Sequence, residues 1–588
     1  MLNDLKVLDL STDFGLMCGQ LLADMGAEVQ QWVRPAHVDR LSTRRHWQAY
    51  TLGKGVQIVD WPNEPTLLRE QLRLADVLIE SEAPGALAAM GLSRAALEAL
   101  NPGLIHVSIT GFGVEGPKAD YPVTDLTVTA ASGHLYVTGS EAGAPLRIGS
   151  PQAHAHASAD AAVGVRVRNQ FQARDGWVVV LQGVLPPLAA FMERLMAWVH
   201  EEGLCSEADL RWNWGMAAMQ MMQGQITAEQ WAPVQDGIEA LVARHTKIEL
   251  MNEAVARRLL IAPVLTVGEL LDSPQLRSRG FVARSKRGRR LGAFARLTGS
   301  PLPLRESEPR FWEAAVDSAP GSHSPLGFEP TPGAGPLAGL KVLDLFWVVA
   351  GPGATRMLAD YGATVVHVES SRRLDMVRNV PPYIEGIPEP ERAACHHTTN
   401  CNKLNVTLDL GSAEGRAVLV DLVRWADVFT ESFAPGVIER MGFGYETVRK
   451  LNPGILMVSS SLMGQTGPWS PYAGYGNLAA AVSGFHALTG HPGAPPTGCF
   501  GPYTDFTSVR FNALAILGAL RHRAATGAGQ FIDMGQAEAA LHFLAPECLA
   551  YLRDGETHGA PGNRDAHDVP STNFRPWHRG HSTLPRWQ

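Results

Sequence analysis

The sequence predicts an α/β protein in which one parallel-sheet unit is used twice, with a smaller α+β segment between the copies. Two observations carry that expectation. Long strings recur at nearly constant spacing, and within each copy short apolar runs alternate with amphipathic stretches of helical period.

The repeat is direct. LKVLDL at 5–10 returns at 340–345, and LLADMGAEV (21–29) returns as MLADYGATV (357–365). LADVLIESEAPGALAAMG (74–91) returns as WADVFTESFAPGVIERMG (425–442), and LNPG at 100–103 returns at 451–454. From Ala75 onward the offset holds at 351 residues as far as Pro145 and Pro496. Each unit opens with an apolar run, Lys341–Leu345 in the second copy, expected to be a strand ending in a Gly-Pro-Gly turn at 351–353. An amphipathic helix and a second strand, VVHVE at 365–369, should follow. This alternation implies a parallel sheet with helices on its faces, and the loop after the first strand is where such sheets bind ligands.

The two copies are unequal. We expect a first large domain over 1–162 and a small domain over 163–310, opened by the strand-like DGWVVVLQ (175–182). A Pro/Gly-rich linker over 311–336, a second large domain over 337–560 and an irregular or truncated tail over 561–588 complete the order. The first copy passes from ASADAAVGV (157–165) straight into the small domain, without the long helix and TGAGQ string (526–530) of the second. No second DGWVVV-like segment follows the second copy.

Composition narrows the function classes. Apolar residues make up 45% and charged residues 18% of the 588, as in ordinary globular enzymes. A net charge of −8 with no long basic run points away from nucleic acid and from membrane surfaces. The six cysteines form no CxxC pair, the N-terminus has no basic-then-apolar leader, and no apolar stretch approaches the length of a membrane span. Together these lead us to expect a cytoplasmic protein.

The strings KVLDL…AGPGATRMLADYGA (341–363), NCNKLNVTLDL (400–410), ADVFTESFAPGVIERMG (426–442), LNPGI (451–455) and TGAGQFIDMGQAEA (526–539), in this order, resemble the family III CoA-transferases. That is the CaiB/BaiF group, which contains formyl-CoA transferase, carnitine CoA-transferase and α-methylacyl-CoA racemase. APVLTVGELLDSPQLRSRGF (262–281) is similar to the family's small domain. The resemblance implies Rossmann-like large domains and two chains threaded through each other as rings. Here that means either a homodimer or an interlocked pseudo-dimer within one chain. It also implies acyl-CoA and carboxylic acid substrates, with the CoA thioester as substrate, no tightly bound cofactor and no metal.

The family's catalytic aspartate matches Asp505, at the start of a predicted helix running into TGAGQ. A carboxylate can attack a thioester to give a mixed anhydride, and the released thiolate can then form an aspartyl-CoA thioester that passes CoA to an acceptor acid. The plain alternative for an Asp at a helix start is an N-cap. The resemblance places Lys403 and Arg440 against CoA, Arg378 close to the site, and Val348, Val349, Ala350, Phe433 and Tyr475 around the acyl-CoA. The family's arginine after the second strand is Ser370 here, with Arg372 and Arg373 two and three residues later; substitution by either is left open, and Arg372 is the candidate CoA contact.

The first copy departs from this pattern. His154 stands where Asp505 does and Ala89 where Arg440 does, although Lys54 matches Lys403 and Arg34 sits at the post-strand position. A copy without the carboxylate cannot form the anhydride, so the first large domain should be structural and the small domain should complete the Asp505 site in cis. Trp347 and Val349 replace a histidine and a glutamine of formyl-CoA transferase, which favours a larger, less polar acyl group.

Three other readings remain. A racemase would need a base at the Tyr475 position, where a phenol titrating near ~10 is poorly suited. An NAD-dependent oxidoreductase would use Gly351-x-Gly353 and Glu369, but Arg356 occupies the third glycine position. The third reading is a non-catalytic acyl-CoA-binding subunit.

Overall fold

The computed structural model describes residues 2, 5–132, 148, 152, 169–184, 188–222, 225–285, 288–302, 310–311, 335–499 and 501–562. His154 and nearly all of the expected linker and tail lie outside the described residues.

In the first unit the apolar runs form β1 (Lys6–Asp9), β2 (Glu28–Val33), β3 (Gly55–Ile58), β4 (Val77–Glu80) and β5 (Ile105–Ser108). Helix α1 (Leu16–Asp24) follows β1, and α2 (Arg45–Tyr50) precedes β3. The strands pair in parallel in the order β3-β2-β1-β4-β5.

The middle segment is antiparallel. Strand β7 (Gly176–Val180) pairs with β6 (Gln170–Ala173) on one side and β8 (Ile261–Pro263) on the other, with helices α3 (Ala189–Glu201), α4 (Ala228–Ala243) and α5 (Lys247–Arg257) between β7 and β8 in the chain. Thr227 and Thr246 start α4 and α5 through reciprocal bonds with Gln230 and Glu249, which satisfy backbone N–H groups otherwise left unpaired. After α6 (Pro274–Ser278) come the hairpin β9 (Val282–Ser285) and β10 (Gly288–Leu291), then β11 (Arg296–Leu297) and β12 (Arg310–Phe311). The last two leave the segment's own sheet: β12 extends the first unit's sheet beside β3, and β11 joins the second unit.

The second unit contains β13 (Lys341–Leu345), α7 (Ala350–Asp360), β14 (Thr364–Glu369), α8 (Ala394–Asn400) and β15 (Leu404–Thr407). It continues with β16 (Val428–Glu431), β17 (Leu456–Ser461), α9 (Gly476–Val482), the 24-residue α10 (Tyr503–Thr526), β18 (Gln530–Gly535), α11 (Gln536–Leu541) and α12 (Ala545–Asp554). Its sheet, β15-β14-β13-β16-β17-β18, repeats the first unit's order and adds β18, on which β11 pairs antiparallel. Strand β16 is buried at all four positions, as expected for a strand covered on both faces.

The expected Gly-Pro-Gly turn is instead the first turn of α7, where a proline costs no intrahelical hydrogen bond. The glycines serve close packing. A Cβ on Gly351 would lie 2.2 Å from the Phe346 ring, and one on Gly353 would lie 2.7 Å from Val509 of α10. Strand β13 has β14 on one side and β16 on the other, so the sheet's crevice opens at the carboxyl ends of β13 and β16. No helix among the described residues is long and apolar enough to cross a membrane.

Candidate active site

The crevice is lined first by the residues after β13. Val348 adopts φ 71, a left-handed conformation that is strained for a β-branched side chain. Its N–H donates to Asp375 Oδ2 at 2.9 Å, and the Trp347 N–H donates to Ser432 Oγ after β16 at 2.9 Å. Val349 is the N-cap residue of α7 and Ala350 its first residue. Asp375 is itself buried; burial raises its pKa, against the bonds it accepts from the Val348 and Val377 N–H groups.

Asp505 lies inside the first turn of α10, while the N-cap position is Pro502. The plain capping role therefore does not apply. Gln536 Nε2 donates to Asp505 Oδ1 at 2.5 Å and also lies 3.1 Å from Thr504 Oγ1, whose hydroxyl donates to Gly476 O at 2.9 Å. Asp505 Oδ2 is buried and has no hydrogen-bond partner among the described residues. Burial pushes the carboxyl up to about 6, opposed by the Gln536 bond and the Gly476 N–H. Gly476 must be glycine, because a Cβ there would lie 2.7 Å from Asp505 Cγ.

Two side chains sense the same charges. Burial, with Asp375 and Asp505 adding to it, pushes the Tyr475 phenol up to about 12 and the Cys395 thiol up to about 11. The rim is aromatic and cationic: the rings of Trp347 and Phe433 are 6.2 Å apart, and the Arg373 guanidinium lies 5.6 Å from the Trp347 ring.

Among the cations expected at CoA, the structure redistributes the roles. Lys403 Nζ is fully enclosed, donating to Asp344 Oδ2 (2.9 Å), Pro352 O (2.9 Å) and Asn400 Oδ1 (2.8 Å). All three ammonium donors are used internally, so Lys403 ties strand to helix and offers nothing to a phosphate. Burial works to raise the Asp344 pKa, but Lys403 and His367 outweigh it and hold the carboxyl well below the usual carboxylate range. Arg378 is also buried, in a bidentate pair with Glu369 at 2.7 and 2.6 Å. That pair removes Arg378 as a free ligand and occupies the carboxylate that a dinucleotide ribose would need. Arg372 points outward to Asp409 at 3.2 Å with its side chain 80% exposed, so Arg373 is the arginine beside the crevice. Arg440 is exposed, with its guanidinium close to Gly436 in the turn after β16.

The first copy has the same scaffold with a closed mouth. Lys54 donates to Asp9, Leu16 O and Gln31 as Lys403 does to its own neighbours. Arg34 is held by both oxygens of Glu82, the residue aligned with Phe433, and lies over Trp61. Asp13, aligned with Val348, is gripped by Arg40, Arg44, His46 and Trp47. The cations of this mouth are consumed by its own carboxylates.

Arg279, at the end of the middle segment's SPQLRSRGF string, reaches the second unit with its side chain fully buried. It donates to Glu538 Oε1 (2.5 Å) and Oε2 (2.9 Å), Asp533 Oδ2 (2.8 Å) and Thr466 Oγ1 (3.0 Å). Gln275 bonds Met463 O and Thr466 O, and Tyr472 bonds Ile261 O, so several polar contacts join the two segments. The sequence reading did not single out Gln536, Gly476, Thr504, Asp375, Cys395 or Arg279. Gln536 was within reach, since a polar residue directly after a strand's carboxyl end sits in the crevice of a parallel sheet.

The model of the CoA-transferase family III matches residues 2–167, 155–316 and 337–579. A probable CoA-transferase of Mycobacterium tuberculosis (Rv1866) is 28% identical over 603 aligned residues, covering 90% of this chain and 74% of the relative. The succinate–glutarate CoA-transferase of Agrobacterium fabrum is 38% identical over 222 residues, 37% of this chain and 56% of that protein. An acetyl-CoA:oxalate CoA-transferase of Acetobacter aceti is 35% identical, over 41% of this chain and 61% of that protein. This chain therefore spans a little over half of these shorter relatives. A solved CAIB/BAIF family protein from Brucella suis is 34% identical over 40% of this chain and 62% of that one, with a TM-score of 0.38. With three matches spread over most of its length, this chain belongs to the CoA-transferase family III.

Proposed function

We propose that this chain moves CoA from an acyl-CoA to a carboxylic acid, with Asp505 as covalent nucleophile at a single working site in the second unit. The observation that carries the reading is the asymmetry of the Asp505 carboxyl: Gln536 holds one oxygen, and the other is buried and unpartnered. A desolvated carboxylate oxygen without a hydrogen bond is a stronger nucleophile than a hydrated one. Oδ2 attacks the thioester carbonyl and CoA thiolate leaves, giving the mixed anhydride. The thiolate then attacks Asp505 Cγ, expelling the donor acid and leaving an aspartyl-CoA thioester. The acceptor carboxylate reverses these two steps and departs as its own CoA thioester.

The aromatic rim of Trp347 and Phe433, with the buried Val349, supports an acyl group larger and less polar than formate or oxalate. Arg440 and Arg373 are the exposed cations suited to CoA phosphates. The middle segment acts as small domain for this site in cis, a reading supported by Arg279 and Gln275. A phenol pushed up to about 12 makes Tyr475 unsuited to abstract an α-proton at neutral pH, which weighs against racemisation.

The test is incubation with an acyl-CoA panel (acetyl, succinyl, glutaryl and branched-chain thioesters), trapping with hydroxylamine and peptide mapping by mass spectrometry. A hydroxamate on Asp505 is expected, absent in Asp505→Ala. Undiminished CoA transfer by Asp505→Ala would refute the mechanism.

A further inference from the structure

The two oxygens of Asp505 have different surroundings, and that difference assigns a task to Gln536. Gln536 is the first residue of α11, directly after β18, and is 6% exposed. Its carboxamide nitrogen meets Asp505 Oδ1 at 2.5 Å and Thr504 Oγ1 at 3.1 Å. Because the Thr504 hydroxyl donates its own proton to Gly476 O, its oxygen accepts, and both amide protons of Gln536 are placed. The Gly476 N–H supports the same carboxyl from α9. The carboxamide cannot drift freely, since Arg279 grips Asp533 on the strand before it and Glu538 on the helix after it.

We propose that Gln536 is a catalytic residue of the second half-reaction: its carboxamide keeps Oδ1 as the carbonyl oxygen and stabilises the negative charge there when thiolate attacks Cγ. This rests on Asp505 being the nucleophile. The atoms balance as follows. In the first step Oδ2 forms the bond to the acyl carbon, the C–S bond breaks, and the electron pair leaves with sulfur; Oδ2 is now the bridging oxygen. In the second step sulfur bonds to Cγ, and the Cγ=Oδ1 π pair moves onto Oδ1. The pair then returns as the Cγ–Oδ2 bond breaks, so the donor acid departs carrying Oδ2. When the acceptor carboxylate attacks Cγ, one of its oxygens becomes the new Oδ2 and stays on the enzyme after the acyl group leaves. Oδ1 never exchanges, provided the carboxyl does not turn over between cycles. Donors placed at the position of developing charge contribute about 10²-fold or more in rate.

The experiment follows heavy oxygen. Each acyl-CoA of the panel is incubated with its own ¹⁸O-labelled acid (succinyl-CoA with succinate, acetyl-CoA with acetate) for many turnovers. The Asp505 peptide of the full chain is then weighed. One heavy oxygen and no more is expected in the unmodified protein. In Gln536→Met both oxygens should become labelled, turnover should fall about 10²-fold, the KM for acyl-CoA should stay level, and the acyl anhydride should accumulate over the CoA adduct. Two heavy oxygens in the unmodified protein would overturn the proposal while leaving Asp505 as nucleophile, and this arm needs no variant to fold. A Gln536→Met protein with unchanged turnover and a single heavy oxygen would overturn it equally. No label in Asp505 would overturn the nucleophile reading, and this inference with it.

Discussion

Replacing Arg279 by alanine tests whether the middle segment holds the second unit's site. In the folded protein its buried guanidinium makes three bonds to two carboxylates and one to Thr466. Glu538 is 2% exposed and Asp533 is 6% exposed, so neither can hydrate once the arginine is gone. Removing one partner of a buried ion pair costs about 3–5 kcal/mol, because the remaining charge stays buried and uncompensated. The pH dependence has a definite sign. Burial already raises the Glu538 pKa and Arg279 opposes that rise. Without Arg279 the folded-state pKa climbs further above the unfolded value, so the added penalty grows as pH rises past the unfolded carboxylate pKa and fades below it. Urea unfolding of Arg279→Ala and of the parent, compared at mildly acidic and mildly alkaline pH, measures this. The expected result is a loss of several kcal/mol on the alkaline side, shrinking on the acid side. A loss below ~1 kcal/mol, within the range of ordinary surface changes, or a loss that does not vary with pH, would refute the reasoning.

Four further outcomes are expected. With a carboxyl at about 6, the rate of anhydride formation should climb through a single ionisation near that pH as Asp505 deprotonates, which rapid-quench measurement can follow. The same raised pKa destabilises the fold above the unfolded-state pKa, so Asp505→Asn should be more stable to urea unfolding than the parent at pH 8, by about 1–3 kcal/mol, with no difference at acid pH. Lys403→Met should lose about 3–5 kcal/mol of stability through the unpaired Asp344 while leaving the KM for acyl-CoA within about threefold, whereas a phosphate ligand would raise KM sharply. Arg440→Ala should do the reverse, raising KM about tenfold and moving unfolding stability by no more than about 0.5 kcal/mol.

Sequence reasoning went furthest where information is local. The repeat, the strand and helix alternation, and the position of Asp505 near the start of a helix leading into TGAGQ follow from short strings whose neighbours in sequence are neighbours in space. The shared strand order of the two sheets follows from the shared strings. It reached less far where a side chain's partners are set by which groups the fold buries together. Lys403 and Arg378 resemble cationic ligands in one dimension, yet Asp344 lies 59 residues from the first and Glu369 binds the second on both oxygens. A cation takes the nearest buried carboxylate before it can serve a phosphate, and the string does not show which carboxylates are buried. The same limit hid Gln536, which meets Asp505 across 31 residues, and Arg279, which meets Glu538 across 259.

The sequence by itself determined the two-copy α/β organisation, the loss of an aspartate from the first copy and its retention at Asp505, because residue identity and periodicity are properties of the string. Tertiary structure alone decided which oxygen of Asp505 is free, which arginine faces the crevice, and that the middle segment's Arg279 reaches across to β18 and α11. Those outcomes depend on burial and on hydrogen-bond geometry between segments that only the folded sheet brings together.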